Sequence, residues 1–316
     1  SLRKPRWYTL DGWGRGIAGQ SPEIREEADT GGGIVLSLDD NIQKIVENAG
    51  QRGLEKGAVV VMDPYTGDIL AAASFPSYRP DRLAEAIQDK ENTPMINRAF
   101  LPYSVGSTFK VVTAAAALEA GLPVSGEYDC TGQIDVSGQL FRCHKRSGHG
   151  EVDMIDAMMK SCNPYFIQLG LQTGGSALLE MAQRFGFGQK LPLAEGISAA
   201  AGTMPEENAM INPAAVANLS FGQGELTATP LQIARMTAAV VNGGLLLNPR
   251  LVLGSTPDGK TLREDPVVPA QEILSPGIAA QLQSFLIHCV MVEDSNALPD
   301  NTTAGGKTAT AQTGRF

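Results

Sequence analysis

The sequence predicts an α/β fold of the α+β kind: an antiparallel sheet flanked by helices, with an all-helical subdomain inserted. Three observations carry this expectation. β-prone runs come early, helical periodicity dominates the middle, and a strand-like run returns at the end. Strands at both ends with helices between them suit a sheet packed by helices, not alternating βαβ units.

The early elements come first. Residues 1–33 hold Gly12, Gly14, Gly16 and Gly19, then the run Gly31-Gly32-Gly33. Sequence so rich in glycine resists packing and reads as a tail or linker. The folded region starts near Ile34. Ile34 to Leu38 reads as a short strand, and Asp39 or Asp40 can cap a helix running through Ala49. Ala58 to Met62 and Asp68 to Ala73 flank the turn Asp63-Pro64-Tyr65-Thr66-Gly67. Two β-prone runs about a Pro/Gly turn make a hairpin.

From Pro80 to about Leu298 the pattern is mostly helical. Thr229 can cap one helix, with Pro230 at its first position and Gln232 completing a capping box. Leu231, Ala234, Ala238 and Val241 form its apolar stripe, and Gly243-Gly244 ends it. A second helix runs from about Ser107 to Ala120, with Gly121 as its stop. At the end, Gly305-Gly306 precede Lys307 to Gln312, which read as a strand.

Composition removes several function classes. The chain has 316 residues, 43% hydrophobic and 19% charged, enough for a sizeable core. Its formal net charge of -9 argues against a nucleic-acid partner, because phosphate contacts need clustered Lys and Arg. No apolar run reaches the roughly 18 residues that cross a bilayer. The longest, Val111 to Leu118, is Ala-rich and interrupted by Thr113. None of the four cysteines sits at C-x-x-C spacing, and the three histidines are scattered. That argues against a zinc or redox motif, and no metal is expected. Cys130 and Cys143 bracket an alternating segment, Gly132 to Arg142, around Ser137-Gly138. A hairpin there brings the two thiols near each other, bonded or free according to the compartment.

Three short patterns carry chemistry. In Ser107-Thr-Phe-Lys110, residues three apart share a helical face, so the ammonium can sit beside the hydroxyl. A partly desolvated amine can take the serine proton, and the helix N-terminus adds positive potential where an oxyanion forms. In Ser161-Cys162-Asn163-Pro164, the proline disfavours helix at Asn163, so 161–163 is expected to be extended. Ser161 and Asn163 then point one way, into a cleft. Asn163 also suits the cap of a helix from Pro164 to Leu171. In Lys307-Thr308-Ala309-Thr310, the two threonines share one strand face and Lys307 takes the other. Each pattern alone fits an ordinary cap or edge strand. Their order, S-x-x-K, S-x-N and K-T-x after paired glycines, is the set of serine acyl-transferases that act on cell-wall peptides and β-lactams.

Longer stretches point the same way. Val60 to Ser77, Tyr103 to Lys110, Phe221-Gly-Gln-Gly-Glu225, Ala228 to Ala234 and Asn242-Gly-Gly244 together resemble the transpeptidase domain of class B penicillin-binding proteins. The resemblance runs from about Gly33 to the last residue. It implies a penicillin-binding protein/serine β-lactamase-like fold over 34–316, with 1–33 the linker or remnant of a non-catalytic module. It implies Ser107 as nucleophile toward the D-Ala-D-Ala carbonyl of a peptidoglycan stem peptide and Lys110 as general base. Ser161, with Lys307 nearby, would pass a proton to the departing D-alanine, and Asn163 would orient the substrate amide. Thr308 and Thr310 would hold the terminal carboxylate, and the backbone N–H groups of Ser107 and Thr310 would form the oxyanion hole. It implies no cofactor, acylation by β-lactams, partners in the cell-wall synthesis machinery, and a site outside the cytoplasmic membrane on a membrane-anchored protein.

The sequence departs from the pattern in two places. Ala309 stands where the family usually has glycine, so a methyl is expected beside the ligand or the sheet. The family also continues past the position of Phe316 with two strands that would flank the Lys307 strand. Without such neighbours that strand is expected to be held poorly. Three rival readings share the motifs: a serine β-lactamase, a β-lactam receptor that signals without turnover, and a catalytically impaired scaffold. Multiple-turnover hydrolysis marks the first, and stable acylation excludes the third.

Overall fold

The computed structural model describes residues 6–7, 23–24, 32–291, 297, 299 and 301–311. Most of the glycine-rich leading stretch and Gln312 therefore lie outside the described residues. The chain packs as two compact units. The smaller comprises residues up to Leu36 together with Val252–Pro266. In it, Gly33–Leu36 pairs antiparallel with Val252–Thr256, which also pairs with Arg263–Glu264. Arg6–Trp7 pairs with Glu23–Ile24.

The larger unit, Ser37–Leu251 with Val267–Phe316, carries all the motif residues. It opens with helix α1, Asp40–Gly53. The Asp39 carboxylate caps α1 by accepting from the N–H groups of Asn41 and Ile42. The helix runs four residues past the expected end at Ala49. The expected hairpin follows: Gly57–Met62 pairs with Ile69–Phe75. Asp63 shapes its turn by accepting from the Tyr65 and Thr66 N–H groups. Along Ile69–Phe75 every second residue is buried, namely Ile69, Ala71, Ala73 and Phe75. Helix α1 lies across that strand. A side chain at Gly50 would begin only 2.2 Å from the Phe75 ring, so glycine is what lets the helix close on it.

The helical part surrounds one central element. Helix α2 is Leu83–Gln88, and α3 is Lys110–Glu119, entered through a 3₁₀ turn over Gly106–Phe109. Every residue of α3 from Lys110 to Ala117 is buried. A helix apolar all round has no solvent face to offer and sits inside a bundle. Its neighbours are α5 (Asn163–Thr173), α6 (Gly175–Arg184) and α9 (Pro276–Val290), with α4 at Met154–Met159 and α7 at Pro213–Ser220. The Thr113 hydroxyl satisfies its buried position by donating to the Ser220 carbonyl at 2.9 Å. Helix α8, Pro230–Val241, shows the full capping box between Thr229 and Gln232. It packs against the Gly57–Met62 strand.

Two expectations need correction. The pairing is antiparallel as expected, in small sheets of two or three strands among the described residues. The inserted part is not all-helical, since Tyr128–Cys130 pairs with Gly150–Val152 beside the expected Gln133–Arg142 hairpin. These strands are three or four residues long between turns, too short to outweigh the helical pattern around them. Lys307 to Ala311 forms no strand, because no neighbouring segment among the described residues offers it a ladder. The Gln133–Arg142 hairpin does form as expected, with Ser137 and Gly138 both at positive φ. No helix among the described residues is long and apolar enough to cross a membrane.

Candidate active site

Ser107 lies in the turn that leads into α3 and is half-buried. Gly106 before it adopts φ +60°, and its N–H donates to the Gly222 carbonyl at 2.8 Å. A side chain on Gly222 would begin 1.9 Å from the Gly106 oxygen. Two glycines are thus required to bend the backbone so that Ser107 sits at a helix N-terminus. The positive end of the helix favours negative charge there.

Lys110 opens α3 and is fully buried at 0% exposure. Its Nζ donates to the Ser161 carbonyl at 2.7 Å, to Ser161 Oγ at 3.1 Å and to Asn163 Oδ1 at 2.7 Å. It also stands 5.5 Å from the Phe166 ring centroid. Burial, and then the charge of Lys307, draw the Lys110 pKa down to about 7. A substantial share of Lys110 is therefore neutral near pH 7 and able to accept a proton.

The S-x-N segment reaches the same point by a different backbone from the one expected. Residues 161–163 are not extended. Ser161 adopts a left-handed φ of +49°, Cys162 caps α5, and Asn163 is already the first helical residue. Pro164 is tolerated because the first turn of a helix has no use for its N–H. The helix N-terminus then positions Asn163, while the left-handed turn swings Ser161 toward Lys110.

Lys307 approaches from the far end of the chain. Its Nζ donates to Ser161 Oγ at 3.1 Å and to its neighbour's carbonyl, that of Thr308, at 2.9 Å. Burial lowers its pKa too. The paired glycines let this segment lie against α9: Gly306 donates to the Leu286 carbonyl at 2.9 Å. A side chain on Gly305 would begin 3.2 Å from backbone atoms of Leu286 and Ile287. Thr308, Ala309 and Thr310 are exposed. The backbone of Thr310 runs beside Gly106, within 3.3 Å of where a side chain there would start.

The structure thus brings Lys110, Ser161, Asn163 and Lys307 into one hydrogen-bonded cluster, with Ser107 one helical turn from Lys110. Thr308 joins it through its backbone carbonyl, which accepts from Lys307 Nζ, and Thr310 borders it. One amine poised near neutrality, one hydroxyl bridging two amines and one serine at a helix N-terminus are the parts of acyl transfer.

Two features escaped the sequence. Phe166, beneath Lys110, looked like an ordinary core position. The second is a group of possible metal ligands: Cys130, Cys143, His149 and Cys162 each place one donor atom within 4.8 Å of the others. The absence of a C-x-x-C motif gave no sign of this group, because folding, not spacing, assembles the four. The available signal was Cys162 itself, lying between Ser161 and Asn163. Cys130 and Cys143 do approach each other, as free thiols.

Comparison with known proteins agrees with this geometry. Residues 57–315 match the penicillin binding protein transpeptidase domain. Peptidoglycan D,D-transpeptidase PbpA of Mycobacterium tuberculosis is 32% identical over 309 residues, covering 90% of this chain and 61% of that protein. Stage V sporulation protein D of Bacillus subtilis is 32% identical over 292 residues, covering 88% of this chain and 44% of the relative. The chain therefore spans roughly two fifths to three fifths of the length of such relatives. Among solved structures, the imipenem acyl-enzyme complex of M. tuberculosis penicillin-binding protein A superposes with a TM-score of 0.79 at 31% identity, over 89% of this chain and 68% of that one. With the shared motifs in one cluster, the chain belongs to the transpeptidase-domain family of the penicillin-binding proteins, in its class B branch.

Proposed function

We propose that this chain is the catalytic domain of a peptidoglycan D,D-transpeptidase acting through a Ser107 acyl-enzyme. The observation that carries the proposal is Ser161 Oγ held at 3.1 Å from both Lys110 Nζ and Lys307 Nζ. That is a proton relay between a base and a second cation, one helical turn from the nucleophile.

The reaction balances on these groups. Ser107 Oγ attacks the carbonyl carbon of the penultimate D-alanine and gives its proton to neutral Lys110. The N–H groups of Ser107 and Thr310 stabilise the oxyanion. Collapse breaks the C–N bond. The departing D-alanine takes a proton relayed through Ser161 from the Lys110 ammonium, with Lys307 holding the hydroxyl in place. An amine from a second stem peptide then attacks the acyl-enzyme, releases its proton to Lys110, and forms the cross-link as Ser107 is reprotonated. Asn163 orients the substrate amide, and the exposed Thr308 and Thr310 hydroxyls meet the terminal carboxylate. β-Lactams acylate Ser107 by the same first step. By this reading the full-length protein is membrane-anchored, faces outward and works with the cell-wall synthesis machinery.

Intact mass after incubation with benzylpenicillin tests the proposal. The expected result is one stable drug adduct per chain, absent in Ser107→Ala. Equal labelling of Ser107→Ala, or rapid hydrolysis of the drug over many turnovers, would overturn it.

A further inference from the structure

Three thiols and an imidazole gather beside the site, at Cys130, Cys143, His149 and Cys162. Cys130 ends the strand Tyr128–Cys130, and Cys143 follows the strand Gln139–Arg142. His149 immediately precedes the strand Gly150–Val152, which pairs back onto Tyr128–Cys130. Cys162 caps α5. His149 turns Nδ1 inward, 3.7 Å from Cys130 Sγ and 3.5 Å from Cys143 Sγ. Tetrahedral zinc with Zn–S of about 2.3 Å and Zn–N of about 2.0 Å places neighbouring ligand atoms about 3.5–3.8 Å apart. The two imidazole–sulfur distances already match that spacing, and all four donors lie within 4.8 Å of one another.

Buried cysteines alone are ordinary core residues. This group differs in two ways. An imidazole joins the thiols and aims the same nitrogen at two of them. The intervening loop is folded back so tightly that only glycine fits at two positions. A side chain on Gly132 (φ +94°) would begin 2.1 Å from the Arg146 oxygen, and one on Gly148 (φ +80°) 2.0 Å from the Cys130 oxygen.

We propose that Cys130, Cys143, His149 and Cys162 bind one Zn²⁺ in a tetrahedral Cys₃His site that fastens the loop carrying Ser161 and Asn163. Three soft thiolates and one imidazole in tetrahedral array select zinc over harder cations. A closed four-ligand shell makes the site structural, leaving no open position for chemistry. Each thiol gives up its proton on binding, so metal replaces three S–H groups and no redox step is involved. The mechanical link is short. Cys162 lies between Ser161 and Asn163, the two residues that hold Lys110. A bound ion anchors both sides of Ser161, whose left-handed φ needs support from its surroundings.

The test uses untagged protein purified under reducing conditions, and it reads independently of acylation. Elemental analysis is expected to find one zinc per chain. X-ray absorption is expected to resolve three sulfurs near about 2.3 Å and one nitrogen near about 2.0 Å. Cys143→Ser and His149→Ala should each weaken zinc retention by at least about tenfold, whereas Cys289→Ser, outside the group, should keep it. Should either variant unfold, wild type stripped by a chelator and reloaded with Co²⁺ gives the answer through its thiolate-to-cobalt absorption band. Stripped, reduced wild type should acylate with benzylpenicillin more slowly and recover on adding Zn²⁺. Less than a tenth of an equivalent of zinc after reconstitution would overturn the site. So would a purified chain two hydrogens lighter, with Cys130 joined to Cys143 or Cys162.

Discussion

Lys110 and Lys307 meet the same hydroxyl from opposite sides, and the chain holds them in unlike ways. Lys110 begins a helix that is buried along most of its length, and its Nζ has three oxygen partners and a ring beneath it. Lys307 sits on a segment with no ladder among the described residues, held by the Gly306 bond to α9 and by its own Nζ. One half of the relay is set by core packing, and the other by a few polar bonds. The first should therefore respond to chemistry and the second to anything that shifts the segment.

The largest effect is expected at Lys110. Lys110→Met removes the base and should lower the second-order acylation rate by about 10²–10⁴-fold. In wild type that rate should rise with pH through about 7 and then level off, as Lys110 loses its proton. The variant should lack that limb. Stability supplies a second readout. The folded pKa lies below the unfolded one, so between about 7 and the ordinary lysine value of 10.5 the unfolded chain binds the extra proton. Wild-type stability relative to Lys110→Met should then rise with pH across that window, by up to about 1.4 kcal/mol per unit. A pH-independent difference in denaturant midpoints would show that Lys110 keeps an ordinary pKa.

Lys307 should matter less. Lys307→Met removes a charged hydrogen bond to Ser161 Oγ, of the order of 1.5–3 kcal/mol, or about 10- to 150-fold in acylation. It also removes a positive neighbour that depresses the Lys110 pKa. The pH–rate midpoint should therefore move upward. Lys307→Arg should keep part of the rate, since a guanidinium stays charged and reaches with a planar fork. A rate loss with no midpoint shift would separate the two lysines and undo the picture of a shared relay.

What could be read from the sequence follows the same division. The Gly57–Phe75 hairpin and the α8 capping box were legible because local chemistry decides them: a Pro/Gly turn, and a Thr-Pro-x-Gln cap. Ser107 and Lys110 were legible as neighbours because three residues along a helix always face one way. The backbone at Ser161 was not. Pro164 disfavours helix at the residue before it, but the first turn of a helix tolerates what the interior does not, and α5 begins at Asn163. The Cys130–Cys162 grouping was hidden because its four members come from two strand ends, a loop and a helix cap. Only tertiary structure sets their distances. The Lys307 strand failed for a complementary reason: β propensity is an offer, and a ladder needs a partner.

Ala309 gives the smallest expected effect and the sharpest test of the weaker half. Its methyl lies 3.4 Å from where a side chain on Gly106 would begin, so it faces the turn before the nucleophile. If it packs there without closing the entrance, Ala309→Gly removes a small contact and frees the backbone. The two changes are worth about 0.5 kcal/mol, which keeps acylation by benzylpenicillin within about twofold of wild type. Gains of tenfold or more, growing with the bulk of the β-lactam side chain, would mean instead that the methyl obstructs the ligand. The departure from glycine would then act as a selectivity filter. An unchanged rate with a lower melting point would place Ala309 among the few contacts that hold Lys307 to its serine.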